Sequence, residues 1–386
     1  MDRKTFIRYG SLAGVGLLSP AISLAGNKKK FNRPNDQEKI NFTRDGLDLT
    51  TEEYTNLLSV IVEDEGISAD SYSRGGVVEQ LEKRMAKALR KESAIFMPTG
   101  TLANHIAIRK LAGNKKRVLV QADSHLYNDS GDCASNLSEL NLIPLAKGNT
   151  SFTVNDVQEE INRAKYGRVK TGIGAVLIES PIRRLDNRMF NFDKMQNISA
   201  LARENQIKMH LDGARLFNAC VHLDKTPADV ASLFDTVYVS LYKNFNAASG
   251  AILAGSKEFI NDLYHTRRMF GGGMPQVWPF AAVANYYLDG FLESYKSSLE
   301  IANNLFEQLS KNDSFKIERF SDGTNVFKLI VNSSDLNGFR NKLAEQNIVL
   351  PSSDNEIKGF KIKVNPSLLR TDVKLLSQQF VEALET

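Results

Sequence analysis

The sequence predicts an α/β protein: a mostly parallel central sheet covered by helices, with a smaller C-terminal α+β domain. Three observations lead there. Strand-length apolar runs alternate with amphipathic helical stretches through most of the chain, the pattern of βαβ units. Beyond about residue 290 a separate set of strand and helix patterns follows a long helical stretch. Finally, 386 residues with 42% hydrophobic and 24% charged composition supply a large core and a companion, which excludes a lone small binding module and a disordered chain.

Residues 1–26 (MDRKTFIRYGSLAGVGLLSPAISLAG) run from a charged start through a small-residue apolar stretch to Ser23-Leu24-Ala25, the order of a secretory signal. The stretch is short for a spanning helix, so no stable membrane span is expected after processing. Asp2 to Arg8 resembles a twin-arginine signal with Lys4 in the second arginine position. Export to the periplasm is the expectation, an uncleaved anchor is the alternative, and a non-functional signal would leave the protein cytoplasmic. Residues 27–40 are polar and read as a linker.

Residues 41–290 read as the large domain. Val77, Val78, Leu81, Met85 and Leu89 form a helical stripe opposite Glu79, Glu82, Lys83 and Lys87. Strands are expected at 118–120, 175–178, 207–211, 237–239 and 251–253, with a helix over 193–205. One long helical stretch covers 280–310. Residues 291–386 read as the small domain, with strands at 326–331 and 360–364 and helices at 335–346 and from 371.

The 49 basic and 45 acidic residues leave +4. Residues 1–30 hold Arg3, Lys4, Arg8, Lys28, Lys29 and Lys30 against Asp2, a net +5, so the body carries −1 and offers no basic stripe for nucleic acid. Cys133 and Cys220 have no CxxC or zinc spacing and read as two buried thiols, or as one bridge in an exported protein. The five histidines form no HExxH pair, so no metal site is expected.

In an open parallel sheet, ligands sit beyond the carboxyl ends of the strands. His125, Arg183, Asp212 and Lys243 each follow or close such a strand. Pro98-Thr99-Gly100-Thr101 places a Gly-Thr pair at a helix start, a natural phosphate site. A phosphate site, a lysine, a carboxylate and an aromatic ring in one crevice suggest pyridoxal 5'-phosphate.

The strings AIFMPTGTLANH (94–105), HLDGARLFNA (210–219), VYVSLYKNFNAASGAILAG (237–255), RRMFGGGM (267–274) and GTNVF (323–327) resemble the threonine aldolase and β-eliminating lyase family of fold-type I pyridoxal-phosphate enzymes, from about residue 40 onward. The resemblance implies that Lys243 carries the cofactor covalently and that Asp212 pairs with the pyridinium nitrogen. It implies further that Arg215 reaches the cofactor phenolic oxygen and the substrate carboxylate. His125 would stack on the ring and accept the β-hydroxyl proton, while Thr99, Gly100, Thr101 and Ser240 hold the phosphate. Tyr72 matches a family tyrosine assigned to the substrate. Arg267 and Arg268 precede a glycine run that approaches a neighbouring subunit in the family, implying a homodimer or homotetramer. Bland alternatives stand beside these roles: a helix cap for Asp212, a satisfied core histidine for His125, a core tyrosine for Tyr72, and solvated surface positions for Arg215 and Lys243.

The cofactor half of the pattern is intact and the substrate half is altered. TRDGLDLTTEEY (43–54) replaces the usual LRSDT string, Glu179 to Arg184 replaces an asparagine-histidine string, Pro275 stands for an arginine, and Lys361 falls near a late carboxylate-binding arginine. Arg183 is the candidate replacement contact for the substrate carboxylate, with Arg184 expected to point away from it. Its alternative is a surface arginine. The expected activity is Cα–Cβ cleavage of a β-hydroxy-α-amino acid to glycine and an aldehyde. β-Elimination or transamination uses the same cofactor contacts, and a non-catalytic binding protein on the same fold is the alternative of another class.

Overall fold

Why the apolar runs become strands is plainest at their burial. In a computed structural model, which describes residues 39–384, all seven residues of β5 (Ile173–Glu179) are buried, as expected for a strand covered on both faces. Around it are β2 (Ser93–Met97), β3 (Arg117–Gln121), β4 (Asn141–Leu145), β6 (Lys208–Asp212), β7 (Thr236–Ser240) and β8 (Ala251–Gly255), following the short β1 (Ile40–Asn41) in sequence. They form a seven-stranded sheet in the order β2-β8-β7-β6-β5-β3-β4. Only β8 runs against its neighbours β2 and β7; the other pairings are parallel.

The helix Gly100–Ala112 crosses one face, packing on β5, β6, β7 and β8. Thr99 caps it, its side chain accepting the Leu102 N–H, an extended residue doing what threonine does at that position. The helix Gly76–Ala88 buries Val77, Val78, Leu81 and Met85 of the expected stripe.

The smaller sheet at the C-terminal end is antiparallel, β12 (Gly359–Lys363), β10 (Val326–Val331) and β9 (Phe315–Arg319) in that order, with its own apolar core. The helices Leu336–Glu345 and Val373–Glu382 contribute Phe339, Leu343, Leu376 and Phe380 to that core. β1 pairs in parallel with β11 (Ile348–Val349), and Ile40 and Phe42 are buried in this second core. Ile40, read as the end of a polar linker, is therefore a strand residue. Its apolar pair with Phe42 is too short to stand out beside the lysines before it.

Two further differences have local causes. β4 escapes a sequence reading because Pro144 interrupts its apolar run, which an edge strand tolerates. The stretch 280–310 is two helices, Trp278–Leu288 and Phe291–Leu309, separated at Asp289-Gly290. The signal segment 1–26 lies outside the described residues. Among the described residues no helix is long and apolar enough to cross a membrane, and Cys133 and Cys220 are unpaired.

Candidate active site

The carboxyl ends of β3, β5, β6 and β7 open onto a pocket of about 260 Å³, lined by His125, Glu179, Arg183, Asp212, Arg215, Lys243 and the turn Pro98 to Thr101 among others. Register builds it. Glu179 lies beside Asp212, and Asp212 beside Tyr238, on neighbouring parallel strands, so three polar side chains come together at one edge of the sheet.

Asp212 is buried. One of its oxygens accepts the Asn104 amide at 2.5 Å and the other accepts the Ala214 N–H at 3.2 Å. Asp212 is therefore not a helix cap: the next helix, Leu216–Leu223, starts after Arg215 and has no side-chain cap, and the bond from Ala214 is a local turn contact. Glu179 uses both oxygens on backbone, accepting the N–H of His125 at 2.6 Å and of Arg183 at 3.0 Å. Burial, with the Asp212 carboxylate beside it, pushes the Glu179 carboxyl up to about 7.

Lys243 sits in the short helix Leu241–Asn244 directly after β7. Burial and then the Arg215 guanidinium bring its ammonium down to about 8, against the opposing pull of Asp212, Asp45 and Glu179. His125 is lowered, chiefly by burial. Its Nδ1 is 3.3 Å from the Ser130 hydroxyl, which also lies 3.1 Å from the His125 carbonyl. With the Ser130 proton assigned to that carbonyl, Nδ1–H becomes the donor and Nε2 keeps a free lone pair.

The turn at Gly100 has no room for a side chain, since a Cβ there would run into the phenol of Tyr238. The backbone can therefore approach a ligand closely at the start of the helix.

A buried charge cluster closes one side. Arg215 pairs with Asp45 at 2.8 Å, and Lys363 reaches the other Asp45 oxygen at 3.3 Å. Burial opposes the charge on Asp45, but Arg215 and Lys363 outweigh it and hold the carboxyl well below the usual range. The adjoining Gly46 packs on the lysine turn: a Cβ there would lie 2.9 Å from the Lys243 carbonyl, and Leu47 N–H donates to Asn246 at 2.8 Å.

The sequence profile of the Beta-eliminating lyase family matches residues 52–332. The chain belongs to the Beta-eliminating lyase family. This family member is 28% identical over 261 residues to the low-specificity L-threonine aldolase of Candida albicans, covering 66% of this chain and 68% of that one. It is 26% identical over 245 residues to the uncharacterized protein R102.4 of Caenorhabditis elegans, covering 63% of this chain and 59% of the length of that relative. Among solved structures, a putative L-allo-threonine aldolase from Listeria monocytogenes superposes with a TM-score of 0.72 at 25% identity, over 90% of this chain and 96% of that one.

The residues fit the pyridoxal phosphate that the family implies. Lys243, Asp212 and the Gly100 turn line one pocket with Arg215, and the buried Arg215 Nε has no hydrogen-bond partner. Ser240 is not itself a lining residue; it lies buried beside the phenols of Tyr238 and Tyr242.

Other expected substrate contacts are placed differently in this lyase-family chain. Tyr72 is not at the pocket of its own chain: its ring is exposed, with the Arg268 guanidinium 5.2 Å from its centre. Arg267 is buried and donates to the carbonyls of Phe96 and Tyr72, holding the local chain together. Arg183 does line the pocket, but it and Arg184 do not diverge. A single helical turn at Arg183–Leu185 brings both guanidinium groups onto Asp129, at 2.6 and 3.0 Å. Lys361 is engaged by Asp186 at 3.2 Å and Asp354 at 3.8 Å, and it is Lys363 that faces the buried cluster. Sequence reading missed Asp45, Asn104, Glu179 and Lys363 as site residues. Of these only Glu179 and Asn104 carried a signal, at a strand end and one helical turn past the phosphate site.

Proposed function

We propose that this protein is a pyridoxal-phosphate lyase cleaving Cα–Cβ of a β-hydroxy-α-amino acid to glycine and an aldehyde. The observation that carries the reading is one pocket presenting an amine lowered to about 8 at Lys243, a buried carboxylate at Asp212, and a helix N-terminus at Gly100. The similarity to threonine aldolases supports it.

Bound pyridoxal phosphate supplies an electron sink for the charge left at Cα. The chain does the rest. Lys243 Nζ would hold the cofactor, Asp212 would face its ring nitrogen, and the start of the helix Gly100–Ala112 would receive its phosphate. His125 Nε2 accepts the β-hydroxyl proton. Arg215 offers the substrate its unpartnered Nε, and Arg183 exchanges Asp129 for the substrate carboxylate.

Purified protein supplied with pyridoxal phosphate should take up a visible absorbance and release glycine and an aldehyde from threonine or phenylserine. Release of ammonia and a keto acid instead would assign β-elimination, and bound cofactor with no turnover would assign a binding protein.

Attachment requires the neutral amine, so the rate of cofactor uptake should rise with pH to a midpoint near 8 and then level, because burial has lowered Lys243 to about 8. Stopped-flow absorbance measures this. A midpoint near that of free lysine, about 10.4, would contradict the assignment.

Arg183→Ala should weaken every amino-acid substrate roughly tenfold to a hundredfold without changing aldehyde preference, the loss of one charge-assisted contact. Arg184→Ala should act less, since Arg183 lines the pocket and Arg184 does not. Affinity titrations of both variants separate the two, and equal effects would return Arg183 to a surface role.

The exposed Tyr72 and Met269, 45% and 71% accessible, support a homo-oligomer in which this face meets a second copy, readable by light scattering. For residues 1–26 we infer export as folded protein, with periplasmic recovery of a shortened chain as the expected fractionation result.

A further inference from the structure

Behind Asp212 a line of buried polar groups leads away from the pocket. Asn104 Nδ2 donates to Asp212 at 2.5 Å, Asn104 Oδ1 lies 2.9 Å from His210 Nε2, and His210 Nδ1 lies 2.8 Å from the Thr236 hydroxyl. Asn104, His210 and Thr236 are fully buried. The fold brings them together because His210 and Asp212 share one face of β6, His210 is in register with Thr236 on β7, and the helix carrying Asn104 packs across that face. The pocket ends at Asp212, so none of these three lines it.

We propose that Asn104, His210 and Thr236 are positioning residues that fix the orientation of the Asp212 carboxylate toward the cofactor ring nitrogen. This rests on the cofactor reading above.

The hydrogen bonds admit one direction. An ionised carboxylate only accepts, so the Asn104 amide must turn its NH₂ toward Asp212 and its oxygen toward His210. That oxygen also only accepts, so His210 must carry its proton on Nε2. Burial lowers His210 to about 4, which leaves the ring neutral and Nδ1 free to accept from the Thr236 hydroxyl. Each donor in the line thus points toward the carboxylate at the pocket end. With one oxygen on Asn104 and the other on Ala214, the carboxylate cannot rotate, and its remaining lone pairs are presented in a fixed direction.

The test separates an effect on the ring nitrogen from loosened packing. Affinities are measured for pyridoxal phosphate and for its 1-deaza analogue, in which CH replaces the ring nitrogen while aldehyde and phosphate are kept. Wild type should prefer the natural cofactor. Asn104→Leu should reduce that preference roughly tenfold, and Thr236→Val, nearly isosteric and remote from the pocket, about two- to threefold, with Thr236→Ser restoring it. If Asn104→Leu does not fold, Thr236→Val carries the test. Equal weakening of both ligands, or no change, would make the line a packing feature and overturn the proposal while leaving the cofactor reading intact. Failure of wild type to bind pyridoxal phosphate would overturn both.

Discussion

Lys243→Ala should abolish covalent attachment of pyridoxal phosphate and lower turnover by roughly 10⁴-fold or more, the scale seen when a group acting as covalent catalyst is removed. The remaining pocket still offers the Gly100 turn and Asp212, so non-covalent cofactor binding should survive in weakened form. Removing a partly buried amine should not unfold the chain, because desolvation is the largest influence on Lys243 and its removal gives up an unfavourable burial. Borohydride reduction of the wild type followed by peptide mapping reads the site directly. Label on Lys363, the other buried lysine near the pocket, would overturn the assignment.

Asp212→Asn should preserve the fold and reduce turnover by roughly 10²- to 10³-fold, in the range of losing a preorganised charge in an active site. The substitution is close to isosteric, and its single oxygen can keep either the Asn104 amide or the Ala214 N–H but not both. What disappears is the negative charge that keeps the ring nitrogen protonated. Asparagine also brings an NH₂ group, which must face either Asn104 or the pocket, so cofactor affinity should fall together with turnover. Far-ultraviolet circular dichroism checks the fold and steady-state kinetics check the rate. Near wild-type turnover at full cofactor occupancy would contradict the role given to Asp212.

Five of the seven strands of the main sheet and the cofactor half of the candidate site were legible because each depends on short contiguous strings, whereas β2 and β4 were not among the expected strands. A candidate residue at or just past a strand end, as with Asp212 closing β6 or Lys243 after β7, is visible along the sequence. The substrate half depends on pairs far apart in sequence. Nothing around Asp45 indicates that it will meet Arg215 and Lys363, because that pairing exists only once the small sheet has docked. Arg183 shows the limit from the other side: its place at the pocket was readable from the end of β5, whereas its engagement by Asp129 and its convergence with Arg184 arise from a local turn that an extended-loop reading misplaces. β8 could be found as a strand from its apolar run, but its reversed direction follows from the brief connection through Lys243, which leaves no length for a crossover.

The cluster of Asp45, Arg215 and Lys363 also ties the birth of the catalytic pocket to protein synthesis. Asp45 is among the first residues of the folded body to be made and Lys363 among the last. β1 must in addition wait for β11. A chain still short of residue 363 can assemble the strands that carry Asp212 and Lys243, but without Lys363 the segment around Gly46 is held only through Arg215 and Asn246. Chains stalled before the small sheet emerges should therefore retain pyridoxal phosphate less firmly than chains that include it.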